Sequence, residues 1–460
     1  MKRIEDQEEE DAQLAMRAVS YIFCARRPLS VTELCHALAV EAEDTMLDAT
    51  ALPETEILLN ISAGLIKVDD ESGTAGLIHS TLQEYLEKYR EKLLPNPELE
   101  IANACLIYLS LDIFGEGPCS SATGLQRRLQ EHQFFDYASH NWGHHIRENQ
   151  LHESVVGLLF TFLQDERKLS SFVQALHVPP NRKTGWHDHF PKQFGALHVV
   201  AYWGLDEILM TLSENDMNVD SQDSYGTTAL ELAAKHGHTS VVQLLLRKGA
   251  SVNTRNGNGE TALYWAARNG HRTILELLLA NKGDALTKDN EEWTALDWAA
   301  VQGDNVIMKT LLDDGADVVT EHDGTLHALF LAADEGHELT VQMLLDSGVN
   351  VNAQDWEGST ALDWAVPAGH EKTVQVLLRN GADLKSKDIF GNTAMHWAVP
   401  HEKLARLLLE YGIDIDTKND AGQTALCWAA QDGPVAVVKL LLETKADVNA
   451  QDKYGFTALH

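Results

Sequence analysis

The sequence predicts a mostly α-helical chain in which a compact N-terminal helical module and a helical spacer precede a solenoid of stacked helical repeats. Three observations carry this. The dipeptide Ala-Leu, once Ala-Met, ends at Leu197, Leu230, Leu263, Leu296, Leu329, Leu362, Met395, Leu426 and Leu459, in steps of 33 residues with a single step of 31. Between these anchors apolar residues recur three and four apart, the period of one helix face rather than of a strand. Only one short segment, around Glu71-Ser72-Gly73, reads as a hairpin. A fixed period of this size means one supersecondary unit per period, each burying its apolar side only against its neighbours.

Residues 1–95 read as the first module. Ala15, Ala18, Val19, Ile22 and Phe23 share one helical face, and Pro28 ends that helix before Ser30 and Glu33 set up a capping box for a second helix through Leu34 and Leu38. ETEILLNI (54–61) supplies a third helix, GLIKVDD and TAGLIH flank the hairpin turn, and Ser80 with Gln83 is placed to cap STLQEYLEKYREKLL. Three helices, a hairpin and a further helix resemble a winged helix. Residues 96–177 read as a helical spacer. The segment 178–193, rich in Pro and polar residues, reads as a linker.

The repeat array covers 194–460. In GTTALELAAKHGHTSVVQLLLRKGASVN (226–253), Thr228 is placed to cap a first helix whose Leu230, Ala233 and Ala234 form a small-residue face. Gly237 turns the chain, Val241, Val242, Leu244 and Leu245 stripe a second helix, and Gly249 ends it. Asp223, Tyr225 and Gly226 supply a surface turn between units. This unit resembles the ankyrin repeat, with T-A-L-x-x-A-A where that family has T-P-L-H-x-A. Lys282 stands where the Gly after the second helix is expected, and Glu292 where the turn Gly is. The short interval AVPHEKLARLLL (398–409) is expected to lose the turn between its helices and tilt one unit. The chain stops on the opening turn of a ninth unit, from which a truncated polypeptide is expected.

The strings ARRPLSVTELCHALAVE, GLIKVDD, IHSTLQEYL, ACLIYLS and FFDYASHNWGHH are similar to the region between the nucleotide-binding module and the ankyrin array of fungal NACHT-type (NLR-like, STAND) signalling ATPases. The winged helix resembles the type named after GPI inositol-deacylase. The resemblance implies the sensor or regulatory portion of a signalling protein, or the non-catalytic C-terminal fragment of a regulatory STAND NTPase whose nucleotide-binding domain lies outside this chain.

Composition bounds the chemistry. Lys and Arg total 36 against 69 Asp and Glu, a net charge of −33 that repels phosphate backbones and anionic membranes, so no nucleic acid or membrane is expected as partner. The third helix of the winged-helix-like region, which would have to read a DNA groove, carries two Glu and no basic residue. Cys24, Cys35, Cys105, Cys119 and Cys427 are scattered and never form C-x-x-C, which fits a reducing, cytoplasmic setting. No phosphate loop or G-x-S-x-G elbow occurs, NRKTGW (181–186) and NISAG (60–64) being the nearest strings, so neither an enzyme nor a cofactor or small-molecule substrate is expected. His140, His144 and His145, with His187 and His189, carry two readings: packing and capping, or a metal site. Trp265, Trp298, Trp364, Trp397 and Trp428 each lie two residues after an anchor, either filling the gap between units or forming an exposed aromatic platform.

The expected function is a protein-interaction scaffold. Residues at turn tips and after first helices vary between units while the framework repeats, and in the related fold they line the concave face. They are Ser224, Tyr225, Lys235, His236, Asn258, Arg268, Asn269, Trp293, Trp356, Glu357, Phe390, Asn392, Gln431 and Asp432.

Overall fold

The protein, seen in a computed structural model, is described for residues 4, 6–147, 150–179, 186–212, 217–314 and 325–460. Residues 181–185 of the NRKTGW string and part of the expected linker lie outside the described residues. The chain divides into two compact units, 1–251 and 252–460.

In the first unit, α1 (Glu9–Cys24) buries Ala15, Ala18, Val19, Tyr21 and Cys24, whereas Ile22 and Phe23, expected on that face, are half-buried. The strand β1 (Leu29–Ser30) leads directly into α2 (Val31–Leu38). Here the capping box forms as expected, with Glu33 N donating to Ser30 Oγ at 3.0 Å and Ser30 N to Glu33 Oε2 at 2.7 Å. After α3 (Thr55–Ile61), β2 (Ile66–Val68) and β3 (Thr74–Leu77) pair antiparallel with Ile66 opposite Leu77. The two-residue β1 adds to the other edge of β3, giving the order β1-β3-β2. It is too short for alternation to reveal in sequence. The cap of α4 (Ser80–Lys88) departs from expectation. His79 is the N-cap, its Nδ1 accepting from Thr81 N, so Ser80 is already the first helical residue.

The first module ends with the short α5 (Arg90–Leu93), and the spacer folds as α6 (Pro97–Leu109), α7 (Ala122–Glu131), α8 (Phe134–Ile146), α9 (Glu153–Gln164) and α10 (Glu166–Leu176). Its core is aromatic. Phe114 stacks on Phe135 at 4.0 Å, and Trp142 on α8 meets Phe162, Phe172 and Trp203 edge to face. Trp203 belongs to α11 (Ala196–Trp203), the first helix of the repeat region, so the spacer core is completed by the start of the array. Gly143 makes this possible, because a Cβ there would lie 2.2 Å from Trp203 Cδ2. Arg147 also donates to Trp203 O at 3.0 Å. The unit ends with α12 (Asp206–Leu212), α13 (Ala229–Lys235) and α14 (Thr239–Arg247).

The second unit is a succession of helix pairs: α15 (Ala262–Arg268) with α16 (Arg272–Ala280), α17 (Ala295–Gln302) with α18 (Asn305–Asp313), and α19 (Thr325–Asp334) with α20 (Glu338–Asp346). Then come α21 (Ala361–Ala365) with α22 (Glu371–Arg379), α23 (Ala394–Trp397) with α24 (Glu402–Glu410), and α25 (Ala425–Asp432) with α26 (Val435–Glu443). Anchors from Leu197 to Leu426 are all buried, and only Leu459, on the last turn, is 88% exposed. A Thr stands two residues before seven of the nine anchors, Gly195 and His327 taking its place before Leu197 and Leu329, and Thr228, Thr261 and Thr294 each accept a bond from the N–H three residues on.

Successive pairs are tied by histidines that precede the second helices. His337 Nε2 donates to Val301 O at 2.8 Å, His370 Nε2 to Asp334 O at 2.7 Å and His401 Nε2 to Pro367 O at 2.9 Å, and in the first unit His238 Nε2 donates to Tyr202 O at 2.9 Å. A carbonyl can only accept, so each ring carries its proton on Nε2.

The departures in sequence leave backbone signatures. Lys282 and Glu292 keep the left-handed conformation of the glycines they replace, with φ of 66° and 68°. The short interval corrects the expectation of a lost turn. Ala398-Val399-Pro400 still turns the chain, and the deletion is taken from the first helix, which keeps 4 residues in α23 against 7 in α15. Pro400 explains this, since its ring disfavours helix at the residue before it.

Candidate partner-binding surface

Most units begin with an Asx residue that organises the turn tip, at Asp223, Asn256, Asp289, Asp355, Asp388, Asn419 and Asp452. Asp355 Oδ1 accepts from Glu357 N at 2.9 Å and Ser359 N at 2.8 Å; Asp388 does the same for Phe390 and Asn392, and Asp289 for Glu291 and Trp293. Neighbouring tips are joined backbone to backbone. Ile389 N donates to Glu357 O at 2.8 Å, Asp420 N to Phe390 O at 2.9 Å, and Asn290 N to Asn258 O at 2.8 Å. All of this uses main-chain groups and one Asx side chain, so the two residues at each tip are free to vary.

The tips accordingly present side chains outward. Trp356 is 86% exposed, Phe390 61% and, in the first unit, Tyr225 50%. Asn258, Asn269, Gln431 and Asp432 are also exposed, Glu357 and Arg268 half-buried. In the first unit Ser224 is exposed but committed, its Oγ accepting from Lys192 N at 2.8 Å; Lys235 is half-buried, and His236 is exposed with its ring 4.3 Å from Tyr202. Asn392 is a correction. It is 3% exposed, its amide donates to Asp388 Oδ2 at 3.0 Å, and its Oδ1 accepts from Asn419 Nδ2 at 2.9 Å, so it holds two tips together and displays nothing. The sequence left Ile389 and Tyr454 unnoticed; both are exposed tip residues.

The tryptophans after the anchors are neither fully buried nor a free platform. Trp265, Trp298, Trp397 and Trp428 are half-buried and Trp364 is 37% exposed. Trp364 Nε1 donates to Asp355 Oδ2 and Trp428 Nε1 to Gln423 Oε1, both at 3.0 Å, which fixes those rings. Around the first pair an aromatic cluster forms. The Arg268 guanidinium lies 5.0 Å from the Trp265 ring centre and 4.2 Å from that of Trp298, Trp293 packs 4.7 Å from Trp298, and Tyr264 donates to Asp289 Oδ2 at 2.9 Å. Around Trp397 and Trp428 there is instead a groove of about 750 Å³, walled also by Pro367, Pro400 and Pro434. Its signal was present in sequence as a proline in the inter-helix turn of three successive units.

Of the histidines with two readings, His140, His144 and His145 are engaged separately. His145 bonds Glu98 and Tyr137, His140 Nδ1 donates to Asp136 O at 2.9 Å, and the His144 ring meets the Trp203 edge at 4.9 Å. Among the described residues no group of three or more His, Cys, Asp or Glu side chains is placed to hold a metal ion. Nor is any helix among them long and apolar enough to cross a membrane.

Comparison with known proteins places this geometry. A family model described as GPI inositol-deacylase, winged helix domain, matches residues 6–93. No curated protein matches the chain. Among solved structures, the crystal structure of the human ASB11 ankyrin repeat domain is similar at 25% identity and a TM-score of 0.43, over 47% of this chain and 97% of that one. A family model described as ankyrin repeats (3 copies) matches residues 165–256, 251–322, 320–388 and 395–460, more than half of the chain. With its 33-residue units, Asx-led tips and capped helix pairs, the chain belongs to the ankyrin-repeat family.

Proposed function

We propose that this protein binds a partner protein through the turn tips and first helices of its repeats, as the sensor or regulatory portion of a NACHT-type signalling protein. The observation that supports binding is the separation of framework from display. The turns at Asp355 and Asp388 are closed by main-chain donors and the Asx carboxylate, while Trp356, Phe390 and Tyr225 stand in solvent where no packing role accounts for them. Ankyrin repeats are typically non-catalytic, and we read this chain as a non-enzymatic scaffold.

The signalling role rests on the winged-helix match before the repeats and on the similarity of the N-terminal strings to fungal NACHT-type proteins. On this reading the module at 1–95 and the spacer at 96–177 pass the occupied state of the array at 194–460, through the linker at 178–193, to a nucleotide-binding domain. We place the protein in the cytoplasm on its dispersed free cysteines. The second reading, a non-catalytic C-terminal portion of a regulatory STAND NTPase, is tested by reading the coding sequence upstream of Met1 for a phosphate loop. Binding is tested by affinity capture with the full chain and with the double variant Trp356→Ser, Phe390→Ser. A specific protein retained by the former and lost with the latter is expected. Identical retained sets would remove the tips from the interface.

A further inference from the structure

Two pairs of indoles from neighbouring repeats occur in the second unit, Trp265 with Trp298 and Trp397 with Trp428. Each ring lies two residues after its anchor. Between the first pair sits a cation supplied by the chain itself, the guanidinium of Arg268, within 5.0 Å of one ring centre and 4.2 Å of the other. Such a planar, weakly hydrated cation is attracted to the electron-rich faces of both rings. Arg268 is five residues after its anchor Leu263. In the corresponding unit of the second pair the shortened first helix ends at Trp397, so nothing stands in the place of Arg268 on it, and the turn that follows carries Pro400.

The second pair therefore has the rings without the plug. Trp397 and Trp428 meet edge to face at 5.6 Å and 87°, forming two perpendicular walls of the groove. Pro367, Pro400 and Pro434 line the rest, and no Lys or Arg is among the lining residues. Asp432 supplies the negative charge. It is exposed and lies four residues after Trp428 on α25, hence on the same helix face. Its counterpart in the first pair, Gln302, reaches across to donate to the Arg268 carbonyl, so this position faces the cation-bearing residue of the adjoining unit. The remaining ionisable group, His396, is buried with its ring 5.4 Å from Trp428. Burial holds its pKa below the usual histidine value, so it adds no positive charge at neutral pH.

We propose that the groove between Trp397 and Trp428 receives the guanidinium of an arginine side chain from an extended segment of a partner protein, with Asp432 as counter-ion. The proposal rests on the protein-binding reading above and specifies its chemistry. The molecule provides its own precedent, since Arg268 is what this family of indole pairs holds when the chain supplies the occupant. The net charge of −33 draws cationic segments towards the array.

The test uses the full chain with ¹⁵N-labelled indoles, assigned with Trp397→Phe and Trp428→Phe. The probe is the peptide Ac-Gly-Arg-Gly-NH₂, with citrulline and lysine versions beside it. The arginine peptide is expected to shift the Trp397 and Trp428 indole signals, to bind about threefold or more tighter than the lysine peptide, and to lose the effect when citrulline replaces arginine. Pro400→Arg, which puts a guanidinium on the wall of the groove, should abolish the shift and leave the Trp265 and Trp298 signals in place. Asp432→Asn, a surface change, should weaken binding about threefold to tenfold. Equal shifts with citrulline, or an undiminished response in both variants, would overturn the proposal. Capture of a partner that survives Pro400→Arg and Asp432→Asn would retire this groove and leave the wider reading standing, whereas loss of capture only with the tip variants would do the same.

Discussion

Replacing Gly336 by Ala tests whether the histidine ties between repeats are as close as they look. Gly336 follows α19 with φ of 76°, and an added Cβ would lie 2.4 Å from His370 Nδ1 and 2.6 Å from its Cγ. The ring cannot simply swing aside, because its Nε2 donates to Asp334 O at 2.7 Å. The left-handed backbone costs an alanine about 1–2 kcal/mol, of which about 0.4–1 is recovered from the stiffer unfolded chain. Breaking the histidine bond adds about 0.5–1.5 kcal/mol, so the net loss is about 2 kcal/mol. Urea denaturation followed by far-ultraviolet circular dichroism measures it, with His370→Ala and the double variant completing a cycle. Removing the ring relieves the clash, so the double variant should be more stable than the sum of the singles by about 1 kcal/mol. Strict additivity, or a Gly336→Ala midpoint equal to that of the parent protein, would refute the contact.

Three further outcomes follow from the same structure. Leu296→Ala, at a buried anchor, should cost about 2–5 kcal/mol and split the melting of the array into two steps; a single unchanged transition would contradict its placement. Lys282→Gly should stabilise by about 0.5–1 kcal/mol, because it relieves a left-handed non-glycine residue, and a lower midpoint would refute the strain. Asp363, in the capping box with Thr360, has its pKa pushed up by burial to about 6 from 3.8. A raised carboxylate contributes stability that is full below pH 3.8 and lost as pH rises through 6. Relative to the parent, Asp363→Asn should therefore gain stability between pH 4 and 7, by at most about 3 kcal/mol, and a pH-independent difference in denaturation midpoints would sink the argument.

The repeat framework was legible because each signal is local and recurs: Thr before the anchor, Gly after the helix, Asx before the tip. What escaped depended on contacts distant in sequence or on small register shifts. Strand β1 is two residues long, and the α4 cap moved one place to His79 because an imidazole can accept as well as a hydroxyl. Asn392 looked like a display residue by its position. Only the facing Asn419 reveals that its amide is consumed between tips. The aromatic groove escaped for a related reason, since a tryptophan at fixed register reads the same whether its neighbour supplies Arg268 or Pro400.

The seam between Trp203 and the aromatic spacer has a mechanical corollary. Because the first repeat lends an indole to a core otherwise made by α8, α9 and α10, peeling that repeat away would open the spacer's interior to water. The two regions should therefore exchange their amide protons together, as one cooperative block, and strain applied at the beginning of the array would reach the N-terminal half without crossing a slack hinge.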